Sequence, residues 1–257
     1  MANCHHCEGI GWLLLKDNGL ETVVACPECR SKSKSRHRLE NSAIPPRYTE
    51  QGFETFSTPD PRLRTAQLRA IEFVNAFPVL DRGLLFIGPC GVGKTHLSVA
   101  ILKAIISEHD VNARFVDEAE LLRSLQYSYN QNSIATEEAL LRPLRRADLL
   151  VWDDLGTGRP TDWVRETIHT IINHRYTNQR LTIFSSNWKL PEKNAPKAVT
   201  GEPTLSDRIG ERLYSRILEM CEIIEMKGPD FRKEIHKAGQ DFQRARKSKT
   251  TRSKRGL

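Results

Sequence analysis

Leu84-Leu85-Phe86-Ile87-Gly88-Pro89-Cys90-Gly91-Val92-Gly93-Lys94-Thr95 passes from a short apolar run into a glycine-rich turn and ends on a lysine and a hydroxyl. Four apolar residues in a row predict a strand buried on both faces, as in a parallel sheet. Gly88 to Thr95 satisfies the pattern G-x-x-x-x-G-K-[ST] of a phosphate-binding loop. From Lys94, apolar residues recur at Leu97, Ala100, Ile101, Ala104 and Ile105, which is helical spacing. Strand, loop and helix thus follow one another in the order this chemistry needs. Glycines let backbone N–H groups curl around phosphate oxygens, and the helix start adds a favourable dipole. Lys94 is then expected on the β and γ phosphates of ATP, with the Thr95 hydroxyl on Mg²⁺. Gly88, Pro89, Cys90, Gly91, Val92, Gly93 and His96 complete the nucleotide-binding stretch.

Reading outward, strands and helices alternate. Arg114 to Val116, Leu149 to Trp152, Leu181 to Phe184 and Cys221 to Glu225 are expected as further strands. Glu118 to Tyr127, Glu137 to Arg146 and Asp162 to Tyr176 carry helical patterns between them. This alternation predicts an α/β fold of three layers: a parallel sheet with helices on both faces. Asp153 and Asp154 close the third strand of the series. A hard cation takes carboxylate and phosphate oxygens, so Asp153 is expected to act on Mg²⁺ and Asp154 to orient an attacking water. Asn187, just past Leu181 to Phe184 and the pair Ser185-Ser186, could reach the γ phosphate, although asparagine is also a common turn residue.

Before this domain lie Cys4-x-x-Cys7 and Cys26-x-x-Cys29, whose separation falls in the roughly 15–20 residue range of a four-cysteine zinc pattern. A small zinc ribbon with a hairpin between its knuckles is expected, folded by the Zn²⁺ it binds. Redox pairs or free thiols are the alternatives. Cys90 and Cys221 have no cysteine or histidine near them in sequence and read as unpaired thiols. Residues 31–40 are strongly charged and read as a linker or an exposed helix start. Three units follow: residues 1–38 as the zinc module and linker, 39–240 as the ATPase domain, and 241–257 as a basic tail. That tail holds most of the net charge of +7 and suits either a nucleic-acid tether or a solubilising extension. No apolar stretch approaches the roughly 18 residues of a membrane span, and no secretory signal is visible. A cytoplasmic protein with no membrane contact is expected.

Gly93-Lys94-Thr95-His96-Leu97-Ser98-Val99-Ala100-Ile101, Asp153-Asp154-Leu155-Gly156 and Ser185-Ser186-Asn187 together resemble the DnaC/IstB branch of AAA+ ATPases. Ile44-Pro45-Pro46-Arg47-Tyr48 and Phe53-Glu54-Thr55-Phe56 are similar to that branch's lead-in to its ATPase domain. The likeness runs from about residue 44 to 236. It implies a replicative helicase loader that hydrolyses ATP, associates into a ring or spiral, and delivers a DnaB-type helicase to single-stranded DNA. A transposition helper ATPase and a nucleotide-gated DNA-binding regulator are the rival readings. By resemblance, Arg216 is an arginine finger given to a neighbouring copy's site, Arg212 supports it, and Arg232 touches the nucleotide of its own copy. An ion pair of Arg216 with Glu211 or Glu219 is the structural alternative for that arginine. The branch also implies a DNA-facing helix in the stretch 117–147, where Arg123, Tyr127, Tyr129, Arg142, Arg145 and Arg146 lie. Some loaders carry an N-terminal zinc module that docks on the helicase; a DNA-binding ribbon is the other option, favoured by Lys32, Lys34, Arg36 and Arg38. Where Asp154 stands, many AAA+ proteins have glutamate; the shorter side chain suits slow, switch-like hydrolysis.

Overall fold

The computed structural model describes residues 4, 5, 7, 8, 12–17, 20–26, 29–56, 60–129, 136–191 and 202–233. The basic tail lies outside them. Strands β1 (Trp12–Asp17) and β2 (Leu20–Ala25) form an antiparallel hairpin, with Trp12 opposite Ala25 and Asp17 opposite Leu20. Helix α1 (Cys29–Asn41) follows directly. The charged run 31–40 is therefore helical throughout. Arg38 donates to Asp110, and Leu39 packs on the main core, so tertiary contacts support a helix whose own pattern is weakly amphipathic.

Five strands make the main sheet: β3 (Gly83–Ile87), β4 (Ala113–Asp117), β5 (Leu149–Asp153), β6 (Leu181–Ser186) and β7 (Cys221–Glu225). They lie in the order β4-β5-β6-β3-β7, and every pairing is parallel. Parallel neighbours need crossovers, which helices α3 (Lys94–Glu108), α4 (Glu118–Ser128), α5 (Glu137–Arg146), α6 (Asp162–Thr177), α7 (Leu205–Ile209) and α8 (Glu211–Met220) help to provide. Helix α2 (Pro61–Ala76) precedes β3.

Alternation along the strands divides the core into two faces. Leu84, Phe86 and Val151 point toward α2 and α3, where they join Leu63, Phe73, Leu97 and Ile101. Leu85, Leu150, Trp152 and Phe184 point the other way, toward Leu122, Ile168, Ile172, Leu213 and Ile217. All of these are buried, and each such side chain contributes about 1.5–3 kcal/mol relative to exposure. The three-layer expectation holds, and each sequence-predicted strand is present within one or two residues of its expected ends.

Arg175 is fully buried on this second side. It donates to Leu144 O and Ala147 O at 2.8 Å, to Leu181 O at 2.6 Å and to Thr182 Oγ1 at 2.9 Å. The guanidinium thus satisfies carbonyls at the end of α5 and the start of β6, where the backbone leaves its ladders. Among the described residues, no helix is long and apolar enough to cross a membrane.

Candidate nucleotide site

The C-terminal ends of β3, β5 and β6 lie side by side, so residues far apart in sequence meet at one edge of the sheet. At the end of β3, the turn from Gly88 leads into α3. Gly93 occupies the N-cap of α3 at φ 99°, and a Cβ there would lie 2.6 Å from the Phe56 ring. Only glycine fits such a turn without strain. Lys94 is buried, and its ammonium donates to Gly88 O and Pro89 O at 2.8 Å and to Asn187 Oδ1 at 2.7 Å. Burial lowers its pKa below the usual lysine value. These acceptors are neutral, so the ammonium retains its attraction for phosphate oxygens.

Thr95 Oγ1 donates to both Asp153 oxygens, at 3.0 and 2.9 Å. The neighbouring Ser185 hydroxyl also donates to Asp153 Oδ1. Burial lifts the Asp153 carboxyl to about 6, while the Ser185 and Thr95 hydroxyls act in the opposite direction. A divalent cation at this point would favour the ionised form. Thr95 and Asp153 therefore fit a magnesium site: a hydroxyl and a buried carboxylate, both hard oxygens, with Thr95 next to Lys94 in the chain. Asp117, at the end of β4, brings a third carboxylate within 4.8 Å of Asp153 and Asp154.

Asp154 takes φ 54°, a positive value rare outside glycine. Its amide donates to Ser185 Oγ at 3.0 Å, and its Oδ1 accepts from Asn187 Nδ2 at 2.9 Å. Asp154 and Asn187 line a cleft of about 340 Å³ that also includes Cys90, Gly91, Lys94, Thr95, His96 and Arg232. His96 Nε2 lies 2.8 Å from Gly52 O and 3.2 Å from Thr55 Oγ1, and burial lowers its pKa. Val92 is buried in the core.

Arg232 is brought to the cleft, next to Phe231, whose amide donates to Gly91 O at 3.2 Å. Arg212 and Arg216 are not among the residues lining the cleft of their own copy. Arg216 Nη1 lies 2.9 Å from His169 Nε2, with the guanidinium 5.6 Å from the Tyr176 ring. Glu219 bonds Tyr176 rather than forming the ion pair weighed from sequence.

At the N-terminus, the sulfurs of Cys4, Cys7 and Cys26 lie within 4.8 Å of one another, and Cys4 Sγ is 3.8 Å from Cys26 Sγ. That spacing is too long for a disulfide of about 2.05 Å. It fits the edge of a tetrahedron built on Zn–S bonds of about 2.3 Å. The Cys29 side chain lies outside the described residues. Cys221 is buried as an unpaired thiol, and Cys90 is exposed.

Residues 18–238 match the family model of the IstB-like ATP binding protein. The chain belongs to that IstB-like family. The phage-like element PBSX protein XkdC of Bacillus subtilis (strain 168) is 28% identical over 85% of this chain and 79% of its own. The replicative helicase loader DnaI of the same organism is 27% identical over 84% of this chain and 71% of its own. A solved structure of the DnaC helicase loader superposes with a TM-score of 0.61 at 34% identity, over 71% of this chain and all of that one. The architecture of this IstB-like chain is that of an AAA+ ATP-binding domain.

Several residues of the site escaped the sequence reading. Ser185 faces Asp153 because β5 and β6 are neighbours in register, with Trp152 opposite Phe184. Glu118 is buried and accepts from Trp152 Nε1 and the Gly156 and Gly158 amides. Burial raises its pKa. It is the first residue of α4, and no motif or spacing in the sequence singles it out.

Proposed function

We propose that this chain is a replicative helicase loader: an ATPase that binds Mg²⁺ and ATP in the cleft and hydrolyses ATP when copies of the chain assemble. The reaction is phosphoryl transfer to water. Lys94 would neutralise charge on the β and γ phosphates, and Asp154 would orient the water and accept its proton. Bound Mg²⁺ would neutralise phosphate charge between Thr95 and Asp153. Asn187 positions both Lys94 and Asp154 through its amide. Arg232 would touch the nucleotide of its own copy. Arg216, supported by Arg212, would complete a neighbour's site, because developing charge on the transferred group matches a guanidinium.

The observation that carries this reading is the chain of contacts Lys94–Asn187–Asp154 beside Thr95–Asp153. Phosphate release by wild type, Lys94→Ala and Arg216→Ala tests it. Both variants should lose turnover, and a mixture of the two should regain part of it. Wild-type turnover in Lys94→Ala counts against the whole reading.

Delivery of a DnaB-type helicase to single-stranded DNA is the cellular role that the loader relatives suggest. The cluster of Cys4, Cys7 and Cys26 suits a zinc-held docking module, with Cys29 as the fourth ligand. Exposed Tyr127 and Tyr129, at the end of α4 with Arg123, and Arg142 and Arg146 on α5 suit stacking and charge contacts with single-stranded DNA. Such partners would be met in the cytoplasm, the location this reading favours. Recovery of a transposase rather than a helicase in a pull-down would favour the transposition-helper reading instead.

A further inference from the structure

The loop after β5 carries Asp154, and its backbone is held from three directions. From α4, Glu118 accepts the Gly156 and Gly158 amides, each at 2.9 Å. From β6, the Ser185 hydroxyl accepts the Asp154 amide, and the Ser186 hydroxyl donates to Leu155 O at 2.8 Å. From α7, Arg208 Nε donates to Gly156 O at 2.9 Å, and its Nη2 donates to Gly158 O at 2.6 Å and Thr157 O at 3.2 Å. The same guanidinium lies 4.4 Å over the Trp188 ring, and Trp188 Nε1 donates to Gly156 O at 2.9 Å. Gly156 sits at φ 84°, and a Cβ there would meet Trp188 and Arg208 at 3.0 and 3.2 Å. The fit leaves no room for a side chain.

Two features make this more than a surface contact. Trp188 directly follows Asn187, which touches both Lys94 and Asp154. Helix α7, which carries Arg208, is joined to α8 by the single residue Gly210, and α8 carries Arg212 and Arg216. The Arg208 guanidinium therefore ties the loop that carries Asp154 to α7, the short helix that leads through Gly210 into the helix carrying Arg216.

We propose that Arg208, stacked on Trp188, is a positioning residue that ties the placement of Asp154 in one ATP site to the presentation of Arg216 to the next copy. This rests on the reading of Arg216 as a finger. A planar fork suits the role, because it reaches three carbonyls and an aromatic face at once; lysine, with one ammonium, does not. Misplacement of a reacting group by about 1 Å costs on the order of 10²-fold in rate.

The test uses the full chain and reads ATP affinity by titration and turnover by phosphate release. Arg208→Ala should keep its ATP dissociation constant within about threefold while turnover falls on the order of 10²-fold. Loss of ATP affinity in parallel with turnover would reduce Arg208 to a fold-maintaining role and overturn the proposal. Two mixtures then separate the two arms. With Lys94→Ala, which offers an intact finger, Arg208→Ala should stay inactive because its own Asp154 is misplaced. With Arg216→Ala, whose own site is intact, Arg208→Ala should fail to restore turnover, whereas Lys94→Ala restores it. Full rescue in either Arg208→Ala mixture overturns that arm. Unchanged turnover in Arg216→Ala alone would instead sink the finger reading, whatever Arg208 does. If Arg208→Ala does not fold, Arg208→Lys replaces it: turnover at least tenfold below wild type with unchanged ATP affinity is expected, and wild-type turnover overturns the proposal.

Discussion

The Asn187 amide stands between Lys94 and Asp154, accepting from the lysine at 2.7 Å and donating to the carboxylate at 2.9 Å. Three adjacent strand ends, those of β3, β6 and β5, are joined through this one side chain. Truncation in Asn187→Ala removes both bonds but leaves the phosphate loop in place. Turnover should fall about 10²-fold, as for loss of one preorganised group at a reacting centre. The ATP dissociation constant should move less than about threefold. Kinetics and titration on the same preparation check this, and a variant with wild-type turnover would show that the bridge is incidental.

Gly93 has two separate reasons to be glycine: φ 99° and the Phe56 ring 2.6 Å from where a Cβ would stand. In Gly93→Ala the turn must shift, and nucleotide affinity should drop at least about tenfold. Adding Phe56→Ala removes the steric conflict but not the backbone strain. The double variant should recover affinity only in part. Full recovery would assign the whole effect to Phe56, and no loss in the single variant would contradict the turn geometry.

Arg175 should matter for stability and not for nucleotide binding. Methionine in its place leaves Leu144 O, Ala147 O, Leu181 O and Thr182 Oγ1 without the donor they now share. Buried acceptors left unpaired make Arg175→Met destabilising by about 3 kcal/mol. Urea denaturation measures this directly. A loss under about 1 kcal/mol would mean that water or a backbone shift replaces the guanidinium.

The Arg216–His169 contact should depend on pH. A guanidinium only donates, so His169 Nε2 must accept as neutral imidazole. Burial, then Arg216 and Arg212, lower the His169 pKa below its ordinary value, with Glu166 acting the other way. A base whose folded pKa is depressed contributes stability above its unfolded pKa, about 6.5, and that contribution is lost as pH falls through the folded value. Wild type should therefore lose melting temperature relative to His169→Gln, which does not titrate, between about pH 6.5 and 5. Parallel melting curves over that range would contradict the contact.

Much of this architecture was legible because buried parallel strands are continuous apolar runs, and their helices keep a clear period. Helix α1 was not, since its residues are mostly charged and its support comes from Asp110 and the core. At the cleft, Lys94, Thr95, Asp153, Asp154 and Asn187 were readable from motif order, and Arg232 only from the family resemblance. Ser185, Glu118, Trp188 and Arg208 were not. Their roles depend on strand register and on a loop closing against α4 and α7, which no local spacing rule encodes. Arg212 and Arg216 belong to a different problem: on the proposed reading they serve another copy, and such a group has no nucleotide to converge on in its own.

Calorimetric titration of ATP with Mg²⁺ into the folded wild-type chain and into Lys94→Ala tests the central claim most directly. Wild type should bind at one saturable site per chain, and Lys94→Ala should bind at least about 10²-fold more weakly, as expected on losing a buried charge aimed at phosphate. Equal affinity in the two proteins, or no binding by wild type, would contradict the assignment of Gly88 to Thr95 as the nucleotide cradle.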